Sequence, residues 1–184
     1  MHFLLYLTAI ASCVGVFASP REVQASFGGV LPEPLIDSAG NLVTTGVRYN
    51  LACTAGVVKV SRYGDDWDYF NLGPGDPFSF ELCSNNGCKG KEALNVAQSV
   101  YFKIPGLHDA GRTRLGFLVK PDHWWLTSRN AGFAQAFFFE NVSGEYVIRS
   151  SLDPRYVIAL SPGEYSLEMR SPGKGQLLCK LQRD

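Results

Sequence analysis

The sequence has no excess of charge of either sign. Its 17 lysine and arginine residues balance 17 aspartate and glutamate residues, so the formal net charge is zero at pH 7. The charges form no basic or acidic block along the chain. Binding to nucleic acid or to an anionic membrane surface depends on a concentrated patch of positive charge. We therefore expect neither nucleic acid nor a membrane among the partners of this protein.

Recognisable catalytic motifs are also lacking. The chain has no Gly-x-Ser-x-Gly nucleophile turn, no His-Glu-x-x-His zinc motif and no glycine-rich phosphate loop. Two of its three histidines stand beside an aspartate, in His108-Asp109 and Asp122-His123. Side chains that are adjacent in sequence point apart, so neither pair forms a proton relay. The sequence therefore predicts a protein that is not an enzyme and has no cofactor.

Only one long hydrophobic run is present, and it lies at the N-terminus. Residues 3–17 are mostly apolar, and Val16 and Ala18 are small residues at positions −3 and −1 of a cut after Ala18. The run is short for a helix that crosses a bilayer, and no second run of this kind follows. The sequence predicts a signal peptide over residues 1–18 and a secreted, extracellular protein. An uncleaved membrane anchor is the alternative.

Helical periodicity is lacking in every segment longer than a single turn. After the leader come twelve short hydrophobic segments, most with a polar residue at every second position, which Gly, Pro, Asn and Asp separate. This pattern is typical of a β-sandwich or a β-barrel. The predicted strands are 47–53, 57–60, 69–72, 78–82, 100–104, 115–119, 124–127, 136–142, 145–150, 156–160, 165–169 and 176–182.

These strands fall into three groups of four, which begin at Val47, Val100 and Glu145. Three quartets favour a β-trefoil, whereas a two-sheet sandwich also uses many short strands and is the alternative. Before them, residues 19–34 contain three prolines and a glycine pair, which predicts an irregular N-terminal arm. The sequence thus predicts an all-β fold, a twelve-stranded β-trefoil with pseudo-threefold symmetry, as one domain over residues 35–184.

The cysteines predict two disulfides. Cys13 lies in the predicted signal peptide, which leaves four, and an even set in a secreted chain has three possible connectivities. We favour Cys83–Cys88, which closes a small loop. Cys53–Cys179 would then join the first and last strands, which are neighbours in any closed barrel. A metal site is the alternative, but the histidines lack ligand spacing, so we expect no metal.

One glycosylation sequon is present, at Asn141-Val142-Ser143. It lies between the predicted strands 136–142 and 145–150. A turn over residues 142–144 would present Asn141 to solvent. The sequence therefore predicts that Asn141 carries a glycan.

A spaced pattern at the start of the predicted domain resembles a known signature. Residues 35–51 contain, in this order and with fixed spacing, an aliphatic residue, Asp37, Gly40, a second aliphatic residue and Tyr49. Asp and Gly make a turn there, and the aliphatic residues and Tyr pack as the first strand of a barrel. The pattern resembles the N-terminal signature of the Kunitz soybean-trypsin-inhibitor family. Further matches follow in the family's order at 75–80, Trp124 or Trp125, 137–142 and 146–148.

The resemblance extends over residues 31–182 and implies a β-trefoil, in agreement with the three quartets. The cysteines depart from the family's pattern. Its usual first disulfide would place a cysteine near Asp68 and its second would place one near Ser150, and this chain has neither. The resemblance therefore implies a divergent member whose disulfides differ from those of its relatives.

In the family, serine proteases are inhibited through the loop between the fourth and fifth strands, which corresponds here to residues 83–99. Counting back from Val100 places the reactive position at Gly90, between Lys89 and Lys91. Asn95 lies further along the same loop. The family's supporting asparagine is replaced by Thr45, whose hydroxyl is shorter. The candidate protease-binding residues are therefore Lys89, Gly90, Lys91 and Asn95, with Thr45 as loop support.

The residue types of this loop suit the inhibition of a trypsin-like protease. A lysine fits a specificity pocket that contains a buried carboxylate. A loop that is already held in its bound shape avoids the entropic cost of ordering on binding. The Cys83–Cys88 disulfide would stiffen the loop directly before Lys89. We therefore expect an extracellular, trypsin-like protease as the partner and a monomeric inhibitor.

Two other sets of residues suggest a different function. Carboxylates beside an aromatic ring, in Asp65-Asp66-Trp67-Asp68, suit a calcium or sugar site, although a polar hairpin tip is the simpler interpretation. One of Trp124 and Trp125 could stack on a sugar, since alternation places the other in the core. The Gln-x-Trp repeats of sugar-binding trefoils are absent. The alternative function is a carbohydrate- or surface-binding trefoil, or a non-inhibitory storage or defence relative.

Overall fold

The structure is a computed structural model that describes residues 32–63, 67–73, 75–106, 109–119, 124–163, 165–173 and 175–184. The predicted signal peptide and most of the predicted arm lie outside these ranges. So do Asp65, Asp66, His108, Asp122 and His123. Within the described ranges, no helix has the length and apolar character needed to cross a membrane.

The regular secondary structure of the described residues is almost entirely β-strand, as the sequence predicted. The one helix within these ranges is a short 3-10 turn, Ala131–Phe133. The strands are β1 Arg48–Cys53, β2 Gly56–Val57, β3 Lys59–Tyr63, β4 Trp67–Asn71, β5 Asp76–Pro77, β6 Phe80–Cys83, β7 Tyr101–Lys103, β8 Arg114–Val119, β9 Trp124–Arg129, β10 Phe137–Val142, β11 Glu145–Ser150, β12 Val157–Leu160, β13 Leu167–Arg170 and β14 Cys179–Arg183.

The strand count differs from the twelve that the sequence predicted, because the described residues contain fourteen strands. The predicted strand 57–60 is split into β2 and β3, since Val58 donates its N–H to Leu51 outside the regular pairing. The pair Asp76–Pro77 forms the additional strand β5 against β3. Both extra strands are two residues long. The prediction missed them because a two-residue pairing leaves no alternation to detect.

Six segments form a closed barrel. Strand β1 pairs with β6, and β6 pairs with β7. The circuit continues from Val100, next to β7, through a bridge to Phe137, the first residue of β10. It then passes through the β10–β11, β11–β14 and β14–β1 pairs and so returns to its start. Closure leaves these strands without a free edge at which another chain could pair.

The other long strands form three hairpins, β3–β4, β8–β9 and β12–β13. Each hairpin is bridged to both of the others. The bridged pairs are Tyr69 with Thr127, Trp125 with Glu168, and Asn71 with Ser166. The three hairpins therefore form a mutually paired set that is distinct from the barrel strands.

Aromatic side chains fill the barrel. Phe80, Phe102, Phe137, Phe139 and Tyr146 each have at most 2% of their surface exposed. The Phe80 and Phe102 ring centroids are 4.7 Å apart, and Phe102 lies 5.4 Å from Phe137. These rings come from β6, β7, β10 and β11, so they connect the strands of the barrel around its interior. Burial of this aromatic surface is a large apolar contribution to folding.

The disulfides have the connectivity that the sequence analysis favoured. Cys53 and Cys179 are directly opposite one another in the β1–β14 pair, with Cα atoms 3.9 Å apart. Cys83 is bonded to Cys88. The first bridge thus joins the first and last barrel strands, whereas the second lies within the 83–99 loop.

A turn over residues 36–44 precedes the barrel and is fixed to it by two buried tyrosines. The hydroxyl of Tyr146 accepts a hydrogen bond from the Ile36 N–H at 3.0 Å and donates one to the Ile36 carbonyl at 3.2 Å. The hydroxyl of Tyr49 accepts one from the Thr44 N–H at 3.0 Å. This attachment determines where the next residue, Thr45, lies.

Within the turn, the Asp37 carboxylate accepts hydrogen bonds from the Ala39 and Asn41 N–H groups, each at 2.9 Å. Gly40 adopts a φ of +84°, which an L-residue reaches only with strain. Burial by itself would raise the pKa of Asp37, but the hydrogen bonds from Asn41 and Ala39 outweigh it and lower the pKa. The spacing of Asp37 and Gly40 in the sequence thus corresponds to a turn that the aspartate carboxylate closes.

Candidate functional site

The 83–99 loop connects β6 to β7 and carries most of the residues that the resemblance singled out. Lys89, Gly90 and Lys91 are all exposed in it. Both lysine side chains are therefore accessible to a protein partner. The rest of the loop is held by contacts on three sides, which come from the disulfide, from Thr45 and from the N-terminal segment.

The disulfide fixes the beginning of the loop. Cys83 is the last residue of β6 and is buried, and its Cα lies 4.8 Å from the Cα of Cys88. Cys88 has a φ of 53°, a left-handed conformation that few non-glycine residues adopt. Its N–H donates to the Asn85 carbonyl at 3.0 Å. The bridge and this turn hold the intervening residues in one shape.

The side-chain amide of Asn85 binds the backbone of Lys89. Its Nδ2 donates to the Lys89 carbonyl at 3.2 Å, and its Oδ1 accepts from the Lys89 N–H at 3.4 Å. Both main-chain polar groups of Lys89 are therefore used within the loop.

Thr45 supports the loop beyond Lys89. The Thr45 side chain is buried, and its hydroxyl donates a hydrogen bond to the Gly90 carbonyl at 3.0 Å while accepting one from the Glu92 N–H at 3.0 Å. The Thr45 N–H also donates to the Glu92 carbonyl at 3.0 Å. One side chain thus fixes the backbone on both sides of Lys91.

Lys91 differs from Lys89 in its backbone contacts. Among the residues that the structure describes, no hydrogen bond engages the N–H or the carbonyl of Lys91. Its neighbours Gly90 and Glu92 are fixed by Thr45, so Lys91 is an exposed residue with unused main-chain groups between two anchored ones. A protease that binds a substrate-like segment needs such groups, because its oxyanion hole must reach the carbonyl of the anchoring residue.

The end of the loop pairs with the N-terminal segment. Leu94 is completely buried; it accepts from the Leu35 N–H at 2.8 Å and donates to the Val43 carbonyl at 2.9 Å. Asn95 is half-buried and bridges to Pro34. Of the four candidate binding residues, Asn95 therefore lies at the anchored base of the loop, whereas Lys89, Gly90 and Lys91 lie in its exposed part.

A buried arginine fixes the other flank of the loop. The Arg114 Nη2 donates to the Asn86 carbonyl at 2.7 Å, and the Asn86 Nδ2 donates to the Ala131 carbonyl at 2.8 Å. Arg114 belongs to β8 and Ala131 begins the 3-10 turn. The segment 85–89 is thus connected to two further elements of the fold.

The proposed calcium or sugar site is only partly visible. Asp65 and Asp66 lie outside the described residues. Asp68 is buried, and its Oδ2 accepts a hydrogen bond from the Ser128 hydroxyl at 2.9 Å, so it connects β4 to β9. Within the described ranges, no group of three or more His, Cys, Asp or Glu residues could hold a metal ion.

The two adjacent tryptophans are both half-buried, and of the two only Trp124 packs against the hydrophobic core cluster. Trp124 is stacked between Phe117 and Tyr156, with centroid distances of 5.1 and 4.5 Å. Trp125 meets Tyr69 edge to face at 5.4 Å. Neighbouring hairpins pack against both faces of β9, which explains why neither ring projects freely.

The sequon residue Asn141 is half-buried near the end of β10. Its side-chain amide donates to the Glu33 carboxylate, and its Oδ1 accepts from the Gly144 N–H at 2.9 Å. Ser143 and Gly144 form the turn to β11 with positive φ angles of 55° and 87°. A glycan at Asn141 would therefore replace the contact with Glu33.

Sequence reasoning missed three contacts that shape the loop: the binding of Lys89 by Asn85, the bond from Arg114 to Asn86, and the pairing of residues 92–96 with residues 33–45. A signal existed for the third contact alone. Residues 93–96 alternate between alanine, leucine, asparagine and valine, which is typical of a short half-buried strand.

Comparison with known proteins places the fold. No protein-family model matches the chain, and no curated protein matches it in sequence. Solved structures do match. A water-soluble chlorophyll protein from Brassica oleracea var. Botrytis aligns with a TM-score of 0.64 at 15% identity, over 83% of this chain and 99% of that one.

Two protease inhibitors align equally well. The trypsin inhibitor from soybean gives a TM-score of 0.62 at 12% identity, over 83% of this chain and 99% of the inhibitor. The double-headed arrowhead protease inhibitor A, solved in complex with two trypsins, gives 0.65 at 10% identity, over 82% of this chain and 99% of that chain. All three proteins are named for inhibition or binding rather than for catalysis. At these identities the alignment establishes the fold, and the chain has the all-β fold of the Kunitz soybean-trypsin-inhibitor-type proteins.

Proposed function

We propose that this protein is a secreted protease inhibitor of the Kunitz type, which occupies the active-site cleft of a trypsin-like serine protease through the 83–99 loop. The observation that carries the proposal is the pair of hydrogen bonds from one buried hydroxyl. Thr45 holds Gly90 and Glu92, and Lys91 is exposed between them. A lysine presented in this way matches a specificity pocket with a buried carboxylate.

We also infer that the scaffold is a β-trefoil with pseudo-threefold symmetry, whose twelve principal strands remain when the two-residue strands β2 and β5 are set aside. Two features support it: a barrel closed by six segments, and three hairpins that pair with one another. Each third of the chain contributes two barrel segments and one hairpin. In such a scaffold the connections between strands carry recognition, while the barrel keeps them rigid.

The rigidity of the loop favours tight binding to a protease. An ordinary flexible segment loses conformational entropy when it enters a protease, at about 1–2 kcal/mol for each residue that becomes ordered. Here the disulfide, Asn85, Thr45 and the N-terminal segment have already ordered the loop. More of the contact energy of the interface therefore remains as affinity.

The backbone contacts favour Lys91 over Lys89 as the residue that enters the pocket. A protease would have to compete with the Asn85 amide for the backbone of Lys89, but not for that of Lys91. Gly90 and Glu92 would remain fixed by Thr45 during binding. The proposed roles are therefore Lys91 as anchor, with Lys89 and Gly90 as flanking contacts and Asn95 as part of the base of the loop.

The proposal also covers the export and processing of the chain and the state of the mature protein. The apolar leader over residues 1–18 would direct export, which agrees with two disulfides in the mature part. Asn141 would carry a glycan. The mature protein would act as a monomer, without catalytic activity, cofactor or metal, against an extracellular protease.

Inhibition assays test this function directly. Oxidised protein comprising residues 19–184 is titrated against trypsin, subtilisin and papain, and the Lys91→Glu, Lys89→Glu and double variants are compared with Lys180→Glu. Lys180 is an exposed lysine of β14 and serves as a matched charge control. We expect trypsin inhibition that weakens at least about a hundredfold in Lys91→Glu, as for a central interface residue, and that is unchanged in Lys180→Glu. Full inhibition by the double variant would eliminate the proposal.

A further inference from the structure

A cleft separate from the exposed lysines lies beside β4, β9 and the 3-10 turn. It has a volume of about 170 Å³. The residues that line it are Trp67, Arg112, Ser128, Arg129, Asn130 and Phe133. The proposed inhibitory mechanism uses none of these side chains. Two of them, Arg112 and Arg129, are positively charged.

Two guanidinium groups are held close together on the aromatic walls of this cleft. The Arg112 Cζ lies 4.3 Å from the ring centroid of Trp67, and the Arg129 Cζ lies 5.7 Å from the same ring. The Arg129 Cζ is also 5.2 Å from the ring of Phe133. Stacking occupies the flat faces of a guanidinium and leaves its N–H edges available for hydrogen bonds to an anion.

Arg129 has an unsatisfied hydrogen-bond donor. Its Nε is buried and has no hydrogen-bond partner among the described residues. Burial lowers the pKa of Arg129, and the positive charge of Arg112 lowers it further. A buried donor on a charged group without an acceptor is unfavourable. An anion bound to the guanidinium in the cleft would relieve the repulsion between the arginines, and a small shift of the Arg129 side chain would bring the buried Nε within reach of that anion.

Two carboxylates of the described residues already contact side chains that line the cleft. Asp109 Oδ2 lies 3.3 Å from Arg112 Nε, and Asp68 Oδ2 accepts a hydrogen bond from the Ser128 hydroxyl. In the described part of the chain no carboxylate forms an ion pair with Arg129. Of the two cleft arginines, Arg129 is therefore the one without an ion pair among the described residues.

We propose that the cleft beside Trp67 is a binding site for a carboxylate group, with the guanidinium of Arg129 as its principal ligand. A planar carboxylate fits the parallel N–H donors of an arginine edge. Phe133, which is 60% exposed, and Trp67 provide apolar surface for a group attached to that carboxylate. The chemistry suits an aromatic or otherwise apolar carboxylic acid better than a strongly hydrated inorganic anion.

The carboxylate could come from either of two sources. One is a free small acid. The other is an acidic side chain of a protein docked on the 83–99 loop, since the Ala131 carbonyl, next to the cleft residues, accepts a hydrogen bond from Asn86 of that loop. The inference does not depend on the proposed inhibition, because the cleft and its unsatisfied donor exist in the isolated chain.

Calorimetric titration of the oxidised protein with sodium benzoate, N-acetylglutamate N-methylamide and benzamide tests the site. Benzamide is the uncharged match of benzoate. We expect saturable binding of the carboxylates with dissociation constants on the order of millimolar, and no binding of benzamide. Tighter binding of benzoate indicates a free aromatic acid, and tighter binding of the glutamate derivative indicates a protein side chain. No saturable binding of either carboxylate would overturn the proposal.

Variants identify the ligand residue. Arg129→Met should weaken carboxylate binding at least about tenfold, because a charged hydrogen bond is lost. Arg155→Met, which removes the same charge from an exposed arginine on another part of the surface, should leave it unchanged. If Arg129→Met fails to fold, the NMR signal of the Arg129 Nε–H in the native protein gives the answer instead. A shift of that signal on titration with benzoate supports the site, and an unmoved signal during saturable binding contradicts it.

Discussion

The hydroxyl of Thr45 donates a hydrogen bond to the carbonyl of Gly90, a residue 45 positions later in the chain. The same oxygen accepts from the N–H of Glu92, so one buried atom satisfies two groups of the exposed loop. Thr45 is itself positioned by the turn that Tyr49 and Tyr146 hold on the barrel. The shape of the loop around Lys91 is therefore determined by contacts that reach back to the core.

Removal of the Thr45 hydroxyl should weaken inhibition more than it weakens folding. In Thr45→Ala the Gly90 carbonyl and the Glu92 N–H lose their shared partner, which costs about 1–3 kcal/mol where the groups stay buried. Because these groups lie in an exposed loop, we expect water to replace the hydroxyl partly and the loop to become mobile. The inhibition constant, measured beside the urea midpoint, should therefore rise much more than the midpoint falls.

Thr45→Ser is the matched control, because it keeps the hydroxyl and loses only a methyl group. We expect Thr45→Ser to inhibit nearly as well as the native protein. Equal inhibition by Thr45→Ala and the native protein would show that the hydrogen bonds do not control the loop.

The two disulfides should have separable effects. Loop-entropy arguments assign about 2 kcal/mol to a bridge that closes as few residues as Cys83–Cys88, and about 5 kcal/mol to one that closes as many as Cys53–Cys179. We expect Cys83→Ser/Cys88→Ser to reduce the free energy of unfolding modestly and to reduce inhibition strongly, since the bridge lies directly before Lys89. The thermal midpoint and the inhibition constant of each double variant measure the two effects.

Cys53→Ser/Cys179→Ser provides the comparison. It should be the less stable variant, yet it should keep its affinity for the protease under conditions where it is folded. A reversed order, in which loss of the barrel bridge impairs inhibition more in the folded protein, would contradict the assignment of the loop.

The Tyr146 hydroxyl should make stability depend on alkaline pH. Burial raises the pKa of Tyr146, and Glu33 adds to the shift, while its bond with Ile36 acts in the opposite direction. A raised pKa means that the folded state holds the proton more strongly than the unfolded state. The stabilisation is complete below the unfolded value near pH 10 and is lost as the pH rises toward the folded value.

Urea unfolding of the native protein and of Tyr146→Phe, at neutral pH and above pH 10, measures this contribution. At neutral pH the variant should be less stable by about 1–3 kcal/mol, because Ile36 loses its partner. The gap should narrow above pH 10. Tyr165→Phe removes an exposed hydroxyl and should leave the free energy of unfolding unchanged, both at neutral pH and above pH 10. A gap that stays constant with pH would show that Tyr146 does not titrate as described.

Much of the barrel could be predicted because its strands follow local rules. The pair 136–142 and 145–150 was located to within one residue, since the first strand is rich in phenylalanine and Ser143-Gly144 makes a tight turn. The last strand was predicted to begin at 176 but begins at Cys179. Residue 176 makes only an isolated bridge to Ala159, and hydrophobicity alone does not distinguish such a bridge from a strand.

The place of the candidate loop between two strands was predictable, whereas the contacts within it were not. The lysines were located by the distance from the next strand, which is a property of the chain alone. The contacts that favour Lys91 over Lys89 as the anchor are not a property of the sequence spacing, because they are hydrogen bonds from the side chains of Asn85 and Thr45 to the loop backbone. Such contacts depend on how the N-terminal turn lies against the loop, and that arrangement joins residues far apart in sequence. No local pattern encodes it.

Slow hydrolysis by the bound protease should reveal which lysine enters the pocket. A substrate-like inhibitor presents its anchor with the following peptide bond at the catalytic serine. We expect trypsin, incubated with the native protein for a long period, to cleave between Lys91 and Glu92 and to leave the Lys89–Gly90 bond intact. Mass spectrometry of the reduced fragments identifies the bond.

Because of the disulfides, cleavage after Lys91 can also be detected by comparing reduced and non-reduced protein on a gel. Cleavage after Lys91 leaves Cys53 on one fragment and Cys179 on the other, so the fragments remain joined until a reductant is added. Thr45 should also keep the new ends close together by holding Gly90 and Glu92. The cleaved protein should therefore still inhibit trypsin before reduction. Cleavage after Lys89 would show that Lys91 is not the anchor. Loss of inhibition on cleavage without reduction would show the same, because the new ends on either side of Lys91 would then not be held by the two hydrogen bonds of Thr45.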